Sequence, residues 1–238
     1  MKKRKKNKNK TTLIIGDLHA PYMHQDAVGF LATVKKKYKI DEVLFMGDER
    51  DGHPDSYHEH DPDLHSSKDE LDLAIKQLQP LYKMFPEAIV LESNHGSLFY
   101  RKALTAGIPG QVLKDYREVL KAPKGWTWKY DHVLKSPLGD IYCHHGKSGS
   151  YEKLSKNMGM SAVQGHFHNK FYVCYWSSPN GLYWDANAGC LVDHKSRAMA
   201  YGKNNLQKPI VGCMIVVDGV PQLIPMVLNK HGRWSGKL

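Results

Sequence analysis

Fourteen histidines in 238 residues are the first sign of chemistry, and many of them stand beside Asp, Asn and Gly in five short segments. These are Gly16-Asp17-Leu18-His19, Gly47-Asp48-Glu49-Arg50-Asp51, Ser93-Asn94-His95-Gly96, His144-His145-Gly146 and Gly165-His166-Phe167-His168. Imidazole with carboxylate is a donor set for Zn, Mn, Fe or Ni, and not for Ca or a thiolate site. Asp17 and His19 are two apart, so in an extended segment both face one side and can chelate one ion. His166 and His168 repeat that spacing. Asp48 has two oxygens, enough to bridge two cations roughly 3.5–4 Å apart. Asn94 and His145 are left to complete the second ion. The neutral oxygen of Asn94 keeps the ligand charge low, so that such a pair retains the Lewis acidity to hold a phosphate. Glycine beside each segment lets the backbone turn sharply and approach closely.

Each segment directly follows a short apolar run. Strands are expected at 12–15, 43–46, 88–91, 140–144 and 161–164. Apolar residues at helical spacing (Val28, Leu31 and Val34; Leu71, Ile75, Leu78 and Leu81) predict helices over 26–38 and 69–84, and a third over 113–120. The β-α-β-α-β order implies a largely parallel sheet covered by helices, with ligands bound beyond the carboxyl ends of its strands. Further β runs at 171–176, 183–187, 210–218 and 220–228 supply another sheet, and Asp218-Gly219 between the last two is a hairpin signal. The expected organisation is a disordered basic tail over 1–11 and one layered domain over 12–238. A polar, acidic, histidine-rich loop is expected over 54–67.

Composition narrows the class. Hydrophobic residues make up 41% and charged residues 24%, which excludes a disordered or collagen-like chain. The longest apolar run, 210–217, falls short of the ~18–20 residues that cross a bilayer, and no signal-peptide core follows the basic start. The net charge is +10, but seven of the 34 basic residues lie in positions 1–10. Residues 11–238 therefore carry 27 basic against 24 acidic side chains, a net of +3. Nucleic acid could engage the tail. Cys143, Cys174, Cys190 and Cys213 form no CxxC pair and read as buried free thiols, so a cytoplasmic protein without membrane association is expected.

The five blocks, in this order and spanning 16–168, resemble the signature of the calcineurin-like metallophosphoesterase family. The resemblance implies an α/β fold, an αββα four-layer sandwich of two mixed β-sheets, with a dimetal site at the strand carboxyl-terminal edges. It implies hydrolysis of phosphate esters by a hydroxide bridging two divalent transition-metal ions, without a phosphoenzyme. Mn2+ is the expected ion, with Fe, Ni, Co, Zn or Mg as substitutes. Carried onto this chain, one ion takes Asp17, His19, Asp48 and His168, and the other takes Asp48, Asn94, His145 and His166. His95 becomes the catalytic acid, with Asp51 orienting its imidazole. One block departs: the family's Gly-Asn-His-acid is here Ser93-Asn94-His95-Gly96. His145 is preferred to His144 because it directly precedes the glycine, and His144 should face the opposite side of its strand.

The whole chain, including the His58–Leu64 stretch and residues 201–205, is also similar to small phosphoesterases carried by phages, which would act in the host cytoplasm. Deoxyribonucleoside 5′-monophosphatases are among them. A small phosphorylated substrate, specifically a nucleotide, is therefore expected. The alternatives are a phosphodiesterase or nuclease acting on DNA or cyclic nucleotides, and an inactive metal-binding module that recruits nucleic acid. Arg50, Arg101, His58 and His60 are candidate substrate contacts. Tyr57, Phe99, Tyr100, Trp176 and Trp184 could stack on a base, although packing is their ordinary use.

Overall fold

Strands that carry apolar side chains on both faces must be covered on both faces, and the β-α-β order supplies the cover. The computed structural model describes residues 10–57, 61, 63–196 and 206–238. In it β1 (Thr11–Ile15), β2 (Glu42–Phe45), β3 (Glu87–Leu91) and β4 (Gly125–Lys129) pair in parallel. β10 (Gly212–Val217) joins β1 antiparallel, and β11 (Val220–Pro225) joins β10, giving the order β11-β10-β1-β2-β3-β4. The crossovers are α1 (Ala27–Lys37) and α2 (Ser67–Met84). The Ser66 side chain caps α2 by accepting from the Asp69 N–H, satisfying one of the orphan donors of the first turn. Lys35, Lys36 and Lys37 end α1, where cations suit the helix dipole.

A second sheet has the order β5-β6-β7-β9-β8, from β5 (His132–Leu134), β6 (Ile141–His144), β7 (Ser161–Gln164), β8 (Phe171–Ser178) and β9 (Gly181–Ala188). β6, β7 and β9 are parallel, while β5 and β8 are antiparallel to their neighbours. Alternation along β1 divides the interior. Leu13 and Ile15 join Phe30, Leu31 and Val34 of α1 and Leu78 and Leu81 of α2 in one core. Ile14, with Leu44, Met46 and Leu91, meets Ile141, Cys143, Val163 and Ala186 in a second core between the sheets. Leu154, from α5 (Lys153–Met158), packs on Tyr142 and Ala162 outside the second sheet. The layers are helix, sheet, sheet, helix, with both sheets mixed, as the resemblance implied. Among the described residues no helix is long and apolar enough to cross a membrane.

Several boundaries differ from the expectation. Thr11 is buried, opens β1 and donates its N–H to the Asp41 carboxylate, so order begins before the expected tail ends. Residues 1–9 of that tail, 58–60 and 62 of the histidine-rich loop, and 197–205 lie outside the described residues. The helix expected over 113–120 contracts to α4 (Tyr116–Val119), because Leu113 is extended and the Asp115 side chain caps the turn. α3 (Leu98–Thr105), α5, β4 and β5 had no counterpart in the sequence reading. The hairpin held: Asp218 and Gly219 have φ of 52° and 96°, the left-handed pair that a two-residue turn of the right twist needs.

Leu78 is fully buried between α2 and the first sheet. Leu78→Ala should lower unfolding free energy by about 2–5 kcal/mol, read as a lower urea midpoint at unchanged m-value.

Candidate metal centre

Five parallel strands deliver the polar segments to one place. Asp17 and His19 follow β1, Asp48 and Asp51 follow β2, and Asn94 and His95 follow β3, all in the first sheet. His145 follows β6, and His166 and His168 follow β7, in the second. The turns are tight. His19, Asp48 and His166 have φ of 49°, 50° and 65°, values uncommon for residues with a side chain. Such backbone persists only where its surroundings fix it. Asp48 accepts at its carbonyl from the N–H groups of Leu18 and His19 (3.1 and 2.8 Å), and donates its own N–H to Ser93 Oγ (3.0 Å). His166 donates its N–H to Asp17 Oδ2 at 2.8 Å. At Gly165 no side chain fits, since a Cβ would stand 2.6 Å from Asp17 Oδ1.

Two donor clusters that share Asp48 result, beside a third group of His19, Asp51 and His95. Asp17, His19, Asp48 and His168 each place one ligand atom within 4.8 Å of the others, and so do Asp48, His145 and His166. Asp48 belongs to both. Its Oδ2 lies 3.5 Å from His19 Nε2 and 3.3 Å from His145 Nε2. His168 Nε2 stands 3.0 Å from His19 Nε2 and 3.1 Å from Asp17 Oδ2. Asn94 Oδ1 is 2.8 Å from His145 Nε2, which places it with the second cluster.

The residues fit divalent cations by a direct observation. Asp17 Oδ1 is buried and has no hydrogen-bond partner, an uncommon state for a carboxylate oxygen and one that a cation relieves. The outer nitrogens of two rings are held as metal-binding imidazoles are held: His19 Nδ1 by Asp51 Oδ1 at 2.6 Å, and His145 Nδ1 by the Met46 carbonyl at 2.7 Å. With Nδ1 donating, each Nε2 lone pair faces the cluster. The buried acids dominate the electrostatics around His145 and His168. Burial alone would lower the pKa of His145, but the charge and hydrogen bond of Asp48, with Asp17, lift it to about 10. Burial is outweighed in the same way at His168 by Asp17. At His19 burial wins over the Asp51 hydrogen bond and the pKa falls.

Two expectations need correction. The Asp51 carboxylate does not orient His95: it bonds His19, and His95 Nδ1 is held by the Asp51 main-chain carbonyl. Arg50 is no free phosphate clamp. It is buried against Glu70 Oε1 (3.3 Å) and Asp55 Oδ2, since a guanidinium out of solvent requires carboxylates of its own. Arg101 does lie beside the centre, exposed, donating from Nη2 to the Asn94 carbonyl at 2.8 Å. His58 and His60 lie outside the described residues. His144 faces away from His145, packing on Tyr130 and Tyr142.

Two supporting residues were missed. Ser93 Oγ accepts from the N–H groups of both Asp48 and Gly96, at 3.0 Å each, and so ties the β2 turn to the turn bearing Asn94 and His95. Its one signal is a hydroxyl at the family's glycine position. Glu70, fully buried on α2, accepts from Gly52 N–H (2.9 Å), His53 N–H (3.1 Å) and Arg50, and organises the loop after Asp51.

No protein-family model matches the chain, and no curated protein matches it. Solved structures resemble it over most of its length. A novel archaeal phosphodiesterase shares 13% identity over 90% of this chain and 99% of its own, with a TM-score of 0.47. Yfce, a phosphoesterase from E. coli, shares 11% over 94% and 96%, at 0.48. Vps29 from Chaetomium thermophilum shares 12% over 95% and 94%, at 0.45.

Glu70 yields a pH prediction. Burial, reinforced by Asp51 and opposed by Arg50, raises its pKa from 4.5 to about 7. The folded state thus holds this proton more tightly than the unfolded chain, so the stabilisation is complete below pH 4.5 and lost as pH rises through about 7. Glu70→Gln should flatten stability against pH over that interval. It should also destabilise by about 1–3 kcal/mol at neutral pH, because an amide NH2 would face the His53 N–H. Urea titrations at several pH values read both effects.

Proposed function

We propose that this chain is a calcineurin-like metallophosphoesterase that hydrolyses a phosphate ester of a nucleotide, a deoxyribonucleoside 5′-monophosphate in the most specific form. What carries this reading is the pair of donor clusters sharing Asp48, with the buried Asp17 Oδ1 left without a hydrogen bond. Asp17, His19, Asp48 and His168 would hold one divalent ion, and Asp48, Asn94, His145 and His166 the other, with Mn2+ as the proposed metal. When bound, such a pair neutralises phosphoryl oxygens and lowers the pKa of an attacking water from 15.7 towards roughly 7.

The protein's own groups do the rest. Asp48 sets the spacing of the two donor sets, and its backbone is fixed by Ser93. Asp51 positions two rings at once, His19 through its carboxylate and His95 through its carbonyl. With Nδ1 committed, His95 can deliver a proton from Nε2 to the leaving oxygen as the ester P–O bond breaks and the water oxygen bonds to phosphorus. The His19 ring packs edge-on to His95 with centroids 4.7 Å apart, which keeps the acid beside the cluster. Arg101 is the proposed phosphate contact at the rim. The described cysteines are free thiols, Cys143, Cys190 and Cys213 buried, which supports a reducing, cytoplasmic setting.

A panel of mononucleotides, bis-p-nitrophenyl phosphate and single-stranded DNA, assayed with Mn2+, Fe2+, Co2+ or Ni2+, tests the reading. Release of inorganic phosphate from the monoesters is expected; inactivity on every phosphate ester with every metal defeats it. Asp48→Asn should lose metal at both positions by elemental analysis, whereas His95→Asn should keep it. His95→Asn should cut turnover on alkyl phosphates ~10²–10⁴-fold and markedly less on aryl phosphates, whose leaving groups need no proton. Equal losses on both would remove the acid from His95.

A further inference from the structure

Around the metal centre, four cations lie over three exposed tyrosine rings, Arg101 and Lys102 sharing Tyr57, and among the described residues none of the four pairs with a carboxylate. Arg101, tied to the Asn94 carbonyl, has its guanidinium 5.8 Å from the Tyr57 ring. Lys147, two residues beyond His145, places Nζ 4.9 Å from the Tyr130 ring and donates to its hydroxyl. Lys170, two residues beyond His168, lies 4.8 Å from Tyr151. Tyr57, Tyr130 and Tyr151 are 61%, 56% and 59% exposed. On the second-sheet side Lys170 Nζ also lies 5.4 Å from the Phe167 ring. Phe167 packs edge-on to His166 with centroids 4.9 Å apart, and a Cβ at Gly149 would stand 3.5 Å from Phe167 and 3.8 Å from Lys170 Nζ.

Single exposed aromatics are ordinary on a surface, but three of them, each under an unmatched cation and all beside one centre, are a patterned one. Aromatic faces offer a stacking platform to any base, and cations at intervals track a phosphate backbone. A duplex keeps its bases stacked on each other, so it cannot use the rings. A protein partner would leave unpaired charge at the core of its interface, where charge is depleted. We propose that this rim binds single-stranded polynucleotide along the mouth of the metal centre, so that the substrate class includes phosphorylated strand ends as well as free nucleotides. The net +3 of residues 11–238 does not oppose this, because the rim gathers its cations locally. The strand-end clause rests on the phosphoesterase reading; the binding itself does not.

Fluorescence anisotropy of the full chain with a labelled single strand of ~12 nucleotides, in EDTA so that no hydrolysis occurs, tests the binding. The slope of log K against log salt should shallow by about 0.7 for each cation removed in Lys147→Ala and Lys170→Ala. Lys36→Ala, on α1, serves as the equal-charge control and should leave it unchanged. Tyr151→Ala should weaken binding by roughly 5- to 150-fold, with an unchanged circular dichroism spectrum and melting temperature. The proposal is overturned if the lysine variants match the control, or if a duplex of the same sequence binds as tightly. In metal-loaded protein, the ratio of kcat/KM for a 5′-phosphorylated strand to that for the mononucleotide should fall in the double lysine variant. Monophosphatase activity without strand binding would sink this inference alone. Strand binding with no hydrolysis of any ester would sink the functional reading and leave the binding surface standing.

Discussion

Three aspartates almost without solvent, Asp17, Asp48 and Asp51, converge on His19, and the rest of the structure answers their charge. Each buried carboxylate costs several kcal/mol unless it is paired and hydrogen-bonded. Histidine supplies the pairing: His168 against Asp17, His145 and His19 against Asp48, and His19 again against Asp51. These acids lift the pKa of His145 to about 10 and raise that of His168, so the negative potential that favours a proton on these rings equally favours a cation. Divalent cations therefore compete with protons for the same nitrogens, and their entry releases them.

Neither sheet builds the centre alone. Asp17, Asp48 and Asn94 come from the first sheet, and His145, His166 and His168 from the second, so the donor distances are set by how the two sheets pack. Met46 shows the coupling: its side chain sits in the core between the sheets, and its carbonyl holds His145. The cost of convergence is local backbone strain at His19, Asp48 and His166, and it is offset by bonds that cross between loops. Ser93 joins the second and third loops, Asp17 joins the first loop to the one after β7, and Glu70 anchors the second loop from the helix layer.

The five site segments were legible because each is a polar interruption at the end of an apolar run, and such interruptions are expensive to bury without a purpose. The layer order was legible because Val28, Leu31 and Val34, and Leu71 to Leu81, repeat at helical spacing between those runs. What escaped was of two kinds. α3 and α5 have 8 and 6 residues, too few turns for a period to declare itself. The partners of charged groups escaped as well. Arg50 reads as free until Glu70, 20 residues away, is folded against it. Asp51 offers two acceptors, a carboxylate and a carbonyl, and sequence does not say which ring takes which. Glu70 sits among other acids of an amphipathic helix, where burial is the sole mark that separates it from Asp69 or Asp72.

Exposure distinguishes the two donor sets and gives the centre a direction. Asp17, His19 and Asp48 are buried, whereas Asn94 and His166 of the other set are exposed. Attraction between a cation and a carboxylate strengthens as the surrounding dielectric falls, so an ion among Asp17, His19, Asp48 and His168 would be held harder than one that Asn94 and His166 help to bind. The centre is open on the side of Asn94 and His166. On that side Arg101 bonds the Asn94 carbonyl and Phe167 packs on His166. The buried inner donor set and the open face beside Asn94 and His166 thus share one residue, Asp48, whose backbone Ser93 fixes.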